Sequence, residues 1–216
     1  MAGTVLLTGF EPFGGEVENP SWDAVRLLGG ERIGGHAIAP RLMPCVFGEA
    51  IARLEKEIEA LSPRVVICVG QAGGRAEISL ERIAVNLEDA RIPDNAGAQP
   101  LDRPVVEGGP AAYLTGLPVK AILRDLIEAG IPAALSQTAG TFVCNHIFYG
   151  ACHLAKRRRR KMPAGFIHVP FSPAQAARSP GSPSMGVPVV AQALRIAIAT
   201  TLRHEVDVLE VGGALS

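Results

Sequence analysis

The chain has 216 residues, 48% of them hydrophobic and 19% charged, and its 21 Lys plus Arg balance its 21 Asp plus Glu. That length suits one domain, residues 1–216, with a sizeable core, and the zero net charge gives no global reason to expect nucleic acid or a membrane surface as a partner. Four cysteines, Cys45, Cys68, Cys144 and Cys152, form no CxxC pair, which argues against a zinc site, a thioredoxin-like motif and a disulfide framework. No basic region followed by a long apolar run opens the chain, and no stretch approaches the ~18 apolar residues of a membrane span. A reducing, cytoplasmic setting is expected.

Thr4–Thr8 (TVLLT) is a short apolar run that ends on the loop GFEPFGGEVEN. Asn19-Pro20 reads as cap and first residue of a helix reaching about Leu28. Ala37–Met43 suits a strand. Phe47–Leu61 places Ile51, Leu54, Ile58 and Leu61 at helical spacing. Arg64–Val69 (RVVICV), bounded by Pro63 and Gly70, predicts a buried strand. Ile83, Val85 and Leu87 alternate with less apolar residues and predict another. Arg91–Pro110 reads as a long loop. Pro118–Ala129 predicts a helix stopped by Gly130-Ile131-Pro132. The apolar run Ile131–Leu135 leads into the small-residue turn Thr138–Thr141, then a cysteine, then the helix-compatible run NHIFYGACHLAKRRRR. Gly165–Val169 (GFIHV) is a further buried strand. Ser172–Pro188 is loop with room for a helical turn at AQAAR. Val189–His204 is a long helix, and the tail reads as loosely ordered. Strands separated by helices of ten to fifteen residues argue for an α/β fold: a single-domain, three-layer α/β/α sandwich with a twisted, mainly parallel, mixed sheet. Sites on such sheets gather at the carboxyl ends of strands.

Cys144 is the first candidate for chemistry. It falls where a strand hands over to a helix. There, unpaired N–H groups and the helix dipole favour a thiolate, and the N–H of Cys144 itself can face an oxyanion. Gly140 permits a tight turn in front of it. A thiol nucleophile needs a base, and the base needs an orienting group. His168, at the end of GFIHV, lies at a strand's carboxyl end. His146 would leave the helix on a different side from Cys144, and His153 would face solvent or a neighbour. Glu81 is the candidate carboxylate, with a salt bridge to Arg82 or another basic group as the bland alternative. Gly70, Gly73 and Gly74 follow a strand, but no GxGxxG or GKS/GKT pattern and no helix start accompany them, so nucleotide binding is rejected. The basic run Lys156–Lys161 (KRRRRK) suits a helix C-terminus. It has no aromatic stacking platform beside it, which argues against nucleic-acid binding.

Three segments carry a resemblance to a known family: LTGFEPFGG…NPSW (Leu7–Trp22), GQAGGRAEISLERIAVNLEDARIPDNAG (Gly70–Gly97), and SQTAGTFVCNHIFYG with GFIHVPF (Ser136–Phe171). The chain resembles type I pyroglutamyl peptidases, cysteine peptidases also called pyrrolidone-carboxylate peptidases. The resemblance puts the family's catalytic glutamate on Glu81, its cysteine on Cys144 and its histidine on His168. It implies hydrolytic removal of N-terminal pyroglutamate from peptides through a thioester, with no metal and no cofactor. The expected pair is a thiolate and an imidazolium held in the right tautomer by Glu81. By resemblance Arg91 assists the Cys144 N–H at the oxyanion. Phe10, Phe13, Phe142 and Val143 wall the ring pocket, with Ile92 adding to it, while Asn19 and the backbone of Gln71 meet the lactam amide. Such a pocket should reject N-terminal proline, which lacks the ring carbonyl. The family is often tetrameric, so a homo-oligomer is expected. A related amidase with different acyl specificity is the alternative reading.

Overall fold

A computed structural model of the chain describes residues 3–211. Its first half comprises β1 (Thr4–Phe10), α1 (Pro20–Arg26), β2 (Arg32–Ile33), β3 (His36–Met43), α2 (Glu49–Leu61) and β4 (Val65–Gln71). There follow β5 (Ile78–Glu81), β6 (Ile83–Val85), β7 (Ala112–Leu114), α3 (Val119–Glu128), β8 (Ala133–Ser136), α4 (Val143–Arg157), β9 (Ala164–Val169), α5 (Pro173–Ala177) and α6 (Val187–Arg203).

Seven strands form one sheet in the order β2-β3-β1-β4-β9-β5-β8. β3, β1, β4 and β9 are mutually parallel. β2 and β5 enter antiparallel to their neighbours, and β8 runs with β5. The sheet is therefore mixed and mainly parallel, and helices cover both faces. The period-two alternation of each strand sorts its side chains between them. Val5, Leu7, Val65, Ile67, Val69 and Ile167 face a core closed by α1, α3 and α6. Leu6, Val66, Cys68 and Phe166 face a second core under α2 and α4.

Two close approaches depend on glycine. A Cβ on Gly9 would lie 2.7 Å from the Trp22 backbone, so β1 and α1 pack at a distance no side chain allows. A Cβ on Gly150 would lie 2.5 Å from Ile51, which is how α4 nestles on α2. α1 starts where the Asn-Pro pair predicts. Asn19 Oδ1 accepts from the Ser21 N–H at 3.1 Å, and Pro20 needs no donor.

Three departures from the sequence-based expectations have physical causes. The strand expected over Ile83–Leu87 is shorter, β6 at Ile83–Val85, and a further strand, β5 at Ile78–Glu81, precedes it. β5 belongs to the main sheet, and β6 turns away to pair with β7 in a separate ribbon. The 91–110 loop is irregular as expected but held: Asp94 accepts from the N–H groups of Phe47, Ala96 and Ala98. The tail through residue 211 is docked rather than loose. Asp207 accepts from the Lys120 and Ala121 N–H groups at 3.0 Å each, capping α3, whose own preceding residue is a proline with no side-chain acceptor. Residues 212–216 lie outside the described residues.

Candidate active site

β1 pairs with β3 on one side and β4 on the other, and the chain reverses its direction of travel across the sheet between them. In open α/β sheets that reversal leaves a crevice at the strands' carboxyl ends. β4 deepens it here. Its pairing with β1 ends at Cys68, while its pairing with β9 continues to Gln71.

Gly70 sits directly opposite His168 in the β4–β9 register. By strand alternation, Gly70, His168 and Glu81 all turn to the α4 face, the side of Cys68 and Phe166. There His168 Nδ1 is 2.7 Å from Glu81 Oε1, with the Glu81 side chain fully buried and that of His168 only 5% exposed. The carboxylate accepts, so Nδ1 carries the proton and Nε2 is left as the basic nitrogen. Phe166 packs edge-on to the imidazole at 4.8 Å between ring centres.

Cys144 is the second residue of α4 and comes down over Gly70. A Cβ on Gly70 would lie 2.8 Å from Cys144 Sγ and 2.7 Å from the Phe166 ring, so only glycine leaves the sulfur its place. β8 runs opposite to β9, and residues 137–142 carry the chain back before α4 begins. Gly140 takes a φ of +77° in that turn. No side chain caps α4, so the first-turn N–H groups, that of Cys144 among them, have no intrahelical acceptor. The start of α4 is fixed instead by Asn145. It accepts from the Val85 N–H at 3.0 Å and donates to the Val85 and Leu87 carbonyls.

Of the four free cysteines, Cys144 alone is partly exposed. Burial pushes the thiols of Cys45, Cys68 and Cys152 up to about 12. The surrounding protein also raises the Cys144 thiol above its ordinary value, chiefly by desolvation and then through the neighbouring Cys45 and Glu81, with Arg75 opposing. His168 is lowered by desolvation, against the pull of Glu81.

The pyroglutamyl peptidase family model matches residues 3–204. The chain is 57% identical to the pyrrolidone-carboxylate peptidase of Cupriavidus necator over 213 residues, covering 98% of this chain and 99% of that protein. It is 52% identical to the Bacillus cereus protein of that name over 211 residues, 98% of each chain. This chain belongs to the pyroglutamyl peptidase family. Its fold superposes on the crystal structure of pyroglutamyl peptidase I from Bacillus amyloliquefaciens with a TM-score of 0.95 at 48% identity, covering 98% of this chain and all of that one.

The other residues matched to the family's pocket lie around this centre in distinct ways. Phe13 and Phe142 approach at 6.0 Å between ring centres, and Phe47, which sequence reasoning does not single out, meets Phe142 edge-on at 5.4 Å. Phe10 and Val143 are buried in the α2/α4 core. Ile92 is exposed and lies near Gly14 of the β1–α1 loop. Arg91 is exposed too. Its segment is stitched to the turn before α4, with the Asp89 N–H donating to the Thr141 carbonyl and Thr141 Oγ1 donating to the Asp89 carbonyl at 2.7 Å. Asn19 is 97% buried, and both its oxygen and its nitrogen serve Ser21 and the Glu11 carbonyl. That makes it the anchor of the β1–α1 loop. Gln71 Oε1 accepts from Gln175 Nε2 at 2.9 Å.

His146 does point away from Cys144, into a second buried dyad. Its Nδ1 lies 2.6 Å from Glu88, and its Nε2 accepts from the Gly48 N–H. His153 faces neighbours, bonding Tyr113 and stacking on Tyr149. The basic partner of Glu81 is Arg75 at 2.7 Å rather than Arg82. Among the described residues, no group of three or more His, Cys, Asp or Glu side chains could hold a metal ion. No helix among them is long and apolar enough to cross a membrane.

Proposed function

We propose that this chain hydrolyses the amide bond after an N-terminal pyroglutamyl residue of a peptide, with Cys144 as nucleophile, His168 as general base and acid, and Glu81 as the group that orients His168. The observation that carries the reading is the buried His168–Glu81 bond of 2.7 Å beside the one partly exposed thiol. His168 Nε2 takes the Sγ proton as sulfur attacks the pyroglutamyl carbonyl carbon. Glu81 stabilises the imidazolium that forms. The oxyanion is met by the Cys144 N–H and Arg91, each such donor being worth on the order of 3 kcal/mol. His168 then gives its proton to the departing amine as the C–N bond breaks. Water, deprotonated by His168, cleaves the thioester and releases pyroglutamate, and the proton returns to sulfur.

Phe13, Phe142 and Phe47 suit the flat, uncharged lactam, with Ile92 at the rim and Phe10 and Val143 behind. The Gln71 backbone, at the end of β4, is the partner for the ring amide, and Asn19 anchors the neighbouring β1–α1 loop. A cytoplasmic location and homo-oligomeric assembly belong to the same proposal and rest on the resemblance, with four free thiols suiting a reducing compartment.

The test is a panel of pyroglutamyl, prolyl, alanyl and glutaminyl amides. We expect kcat/KM for pyroglutamyl to exceed that for prolyl by about 10⁴-fold, because proline leaves the lactam's buried partners unpaired. Comparable rates on the prolyl or alanyl amide would replace this reading with the related amidase.

A further inference from the structure

We propose that Arg75 is a positioning residue of the reaction, holding the His168–Glu81 pair in its proton-free, basic form at neutral pH. This inference rests on the Cys144–His168–Glu81 reading above.

Arg75 stands on the β4–β5 turn, just past Gly73-Gly74. Its Nη1 donates to Glu81 Oε1 at 2.7 Å, the same oxygen that His168 Nδ1 meets at 2.7 Å. Glu81 Oε2 is buried with no partner among the described residues. Both donors thus meet on one oxygen of a carboxylate whose other oxygen has no partner. The Arg75 side chain is 31% exposed while the Glu81 side chain is wholly buried, so the guanidinium closes the solvent side of the pair. It also reaches the Thr138 carbonyl at 3.5 Å, in the turn that leads to Cys144.

The consequence concerns charge. A buried carboxylate needs a counter-charge. When His168 is neutral, Arg75 supplies it. When His168 is protonated, two cations crowd one oxygen and the second is disfavoured. The charged and titratable groups facing His168 are Glu81 from β5, Arg75 from the turn and Cys144 from α4, with the thiols of Cys45 and Cys68 behind Cys144. Arg75 acts on both His168 and Cys144 in the lowering direction. Removing its charge therefore lets the cluster keep each of its protons to higher pH, and both limbs of the activity profile move the same way.

The experiment measures kcat/KM against pH on an L-pyroglutamyl amide for native protein, Arg75→Gln and Arg75→Lys, alongside the pH dependence of Cys144 alkylation by iodoacetamide. We expect Arg75→Gln to move the whole bell, and the alkylation profile, up by about one pH unit, and Arg75→Lys to restore most of the shift. A lower kcat/KM with an unmoved profile in Arg75→Gln, or a shift that Arg75→Lys does not reverse, would overturn the proposal. Melting temperatures of both variants separate misfolding from either result, and if Arg75→Gln does not fold, the Arg75→Lys profile alone must match the native one. Activity surviving in Cys144→Ala would instead sink the triad reading on which the proposal rests.

Discussion

Cys144→Ala is expected to lower turnover of an L-pyroglutamyl amide by about 10⁴–10⁶-fold, the range seen when a nucleophile is removed from a coupled set of catalytic groups. The loss should fall on kcat. The aromatic residues proposed to wall the lactam pocket are unaltered, because Phe13, Phe47 and Phe142 make their contacts with one another. The fold should survive, since the start of α4 is anchored through Asn145 to β6 rather than through the sulfur. Steady-state kinetics with a melting curve checks both halves. Activity within tenfold of native would remove Cys144 from the chemistry.

Glu81→Gln is expected to cost about 10⁴-fold in kcat while leaving the backbone in place, as a buried carboxylate-to-amide change does in comparable triads. The amide can turn its NH₂ toward His168 Nδ1. The ring then accepts there, its proton moves to Nε2, and the nitrogen that must take the Sγ proton is already occupied. The variant also strips Arg75 of its counter-charge at 2.7 Å. KM should change little, because Glu81 is fully buried and cannot touch the lactam. A variant with near-native kcat would mean that His168 needs no orientation from Glu81.

Much of this arrangement is legible in the order of the residues alone. RVVICV and GFIHV announce themselves as buried strands by their β-branched and apolar runs. They also fix the parity that sends Cys68, Gly70, Phe166 and His168 to one face. The strand-to-helix placement of Cys144 is legible as well, because a small-residue turn precedes a long helical run. What stays hidden depends on partners far apart in sequence. Ile83–Leu87 reads as a strand by its alternation, but nothing local says that β6 pairs with Ala112–Leu114 instead of joining the sheet. Asp207 capping α3 spans more than eighty residues of chain. Arg75 looks like a turn residue until Glu81 is placed. The surroundings of the Cys144 thiol are hidden for another reason. A helix start can be read from sequence, but the burial that raises the thiol depends on everything packed around the sulfur.

On the proposed function, one pocket both recognises pyroglutamate and presents Cys144 to it. The most direct test treats native protein with an L-pyroglutamyl chloromethyl ketone and maps the adduct by peptide mass, with the prolyl reagent as the control. One label per chain is expected, on Cys144, formed in step with loss of activity and slowed by free pyroglutamate, while the prolyl reagent reacts far more slowly. Labelling of Cys45, Cys68 or Cys152 in its place, or equal reactivity of the two reagents, would contradict it.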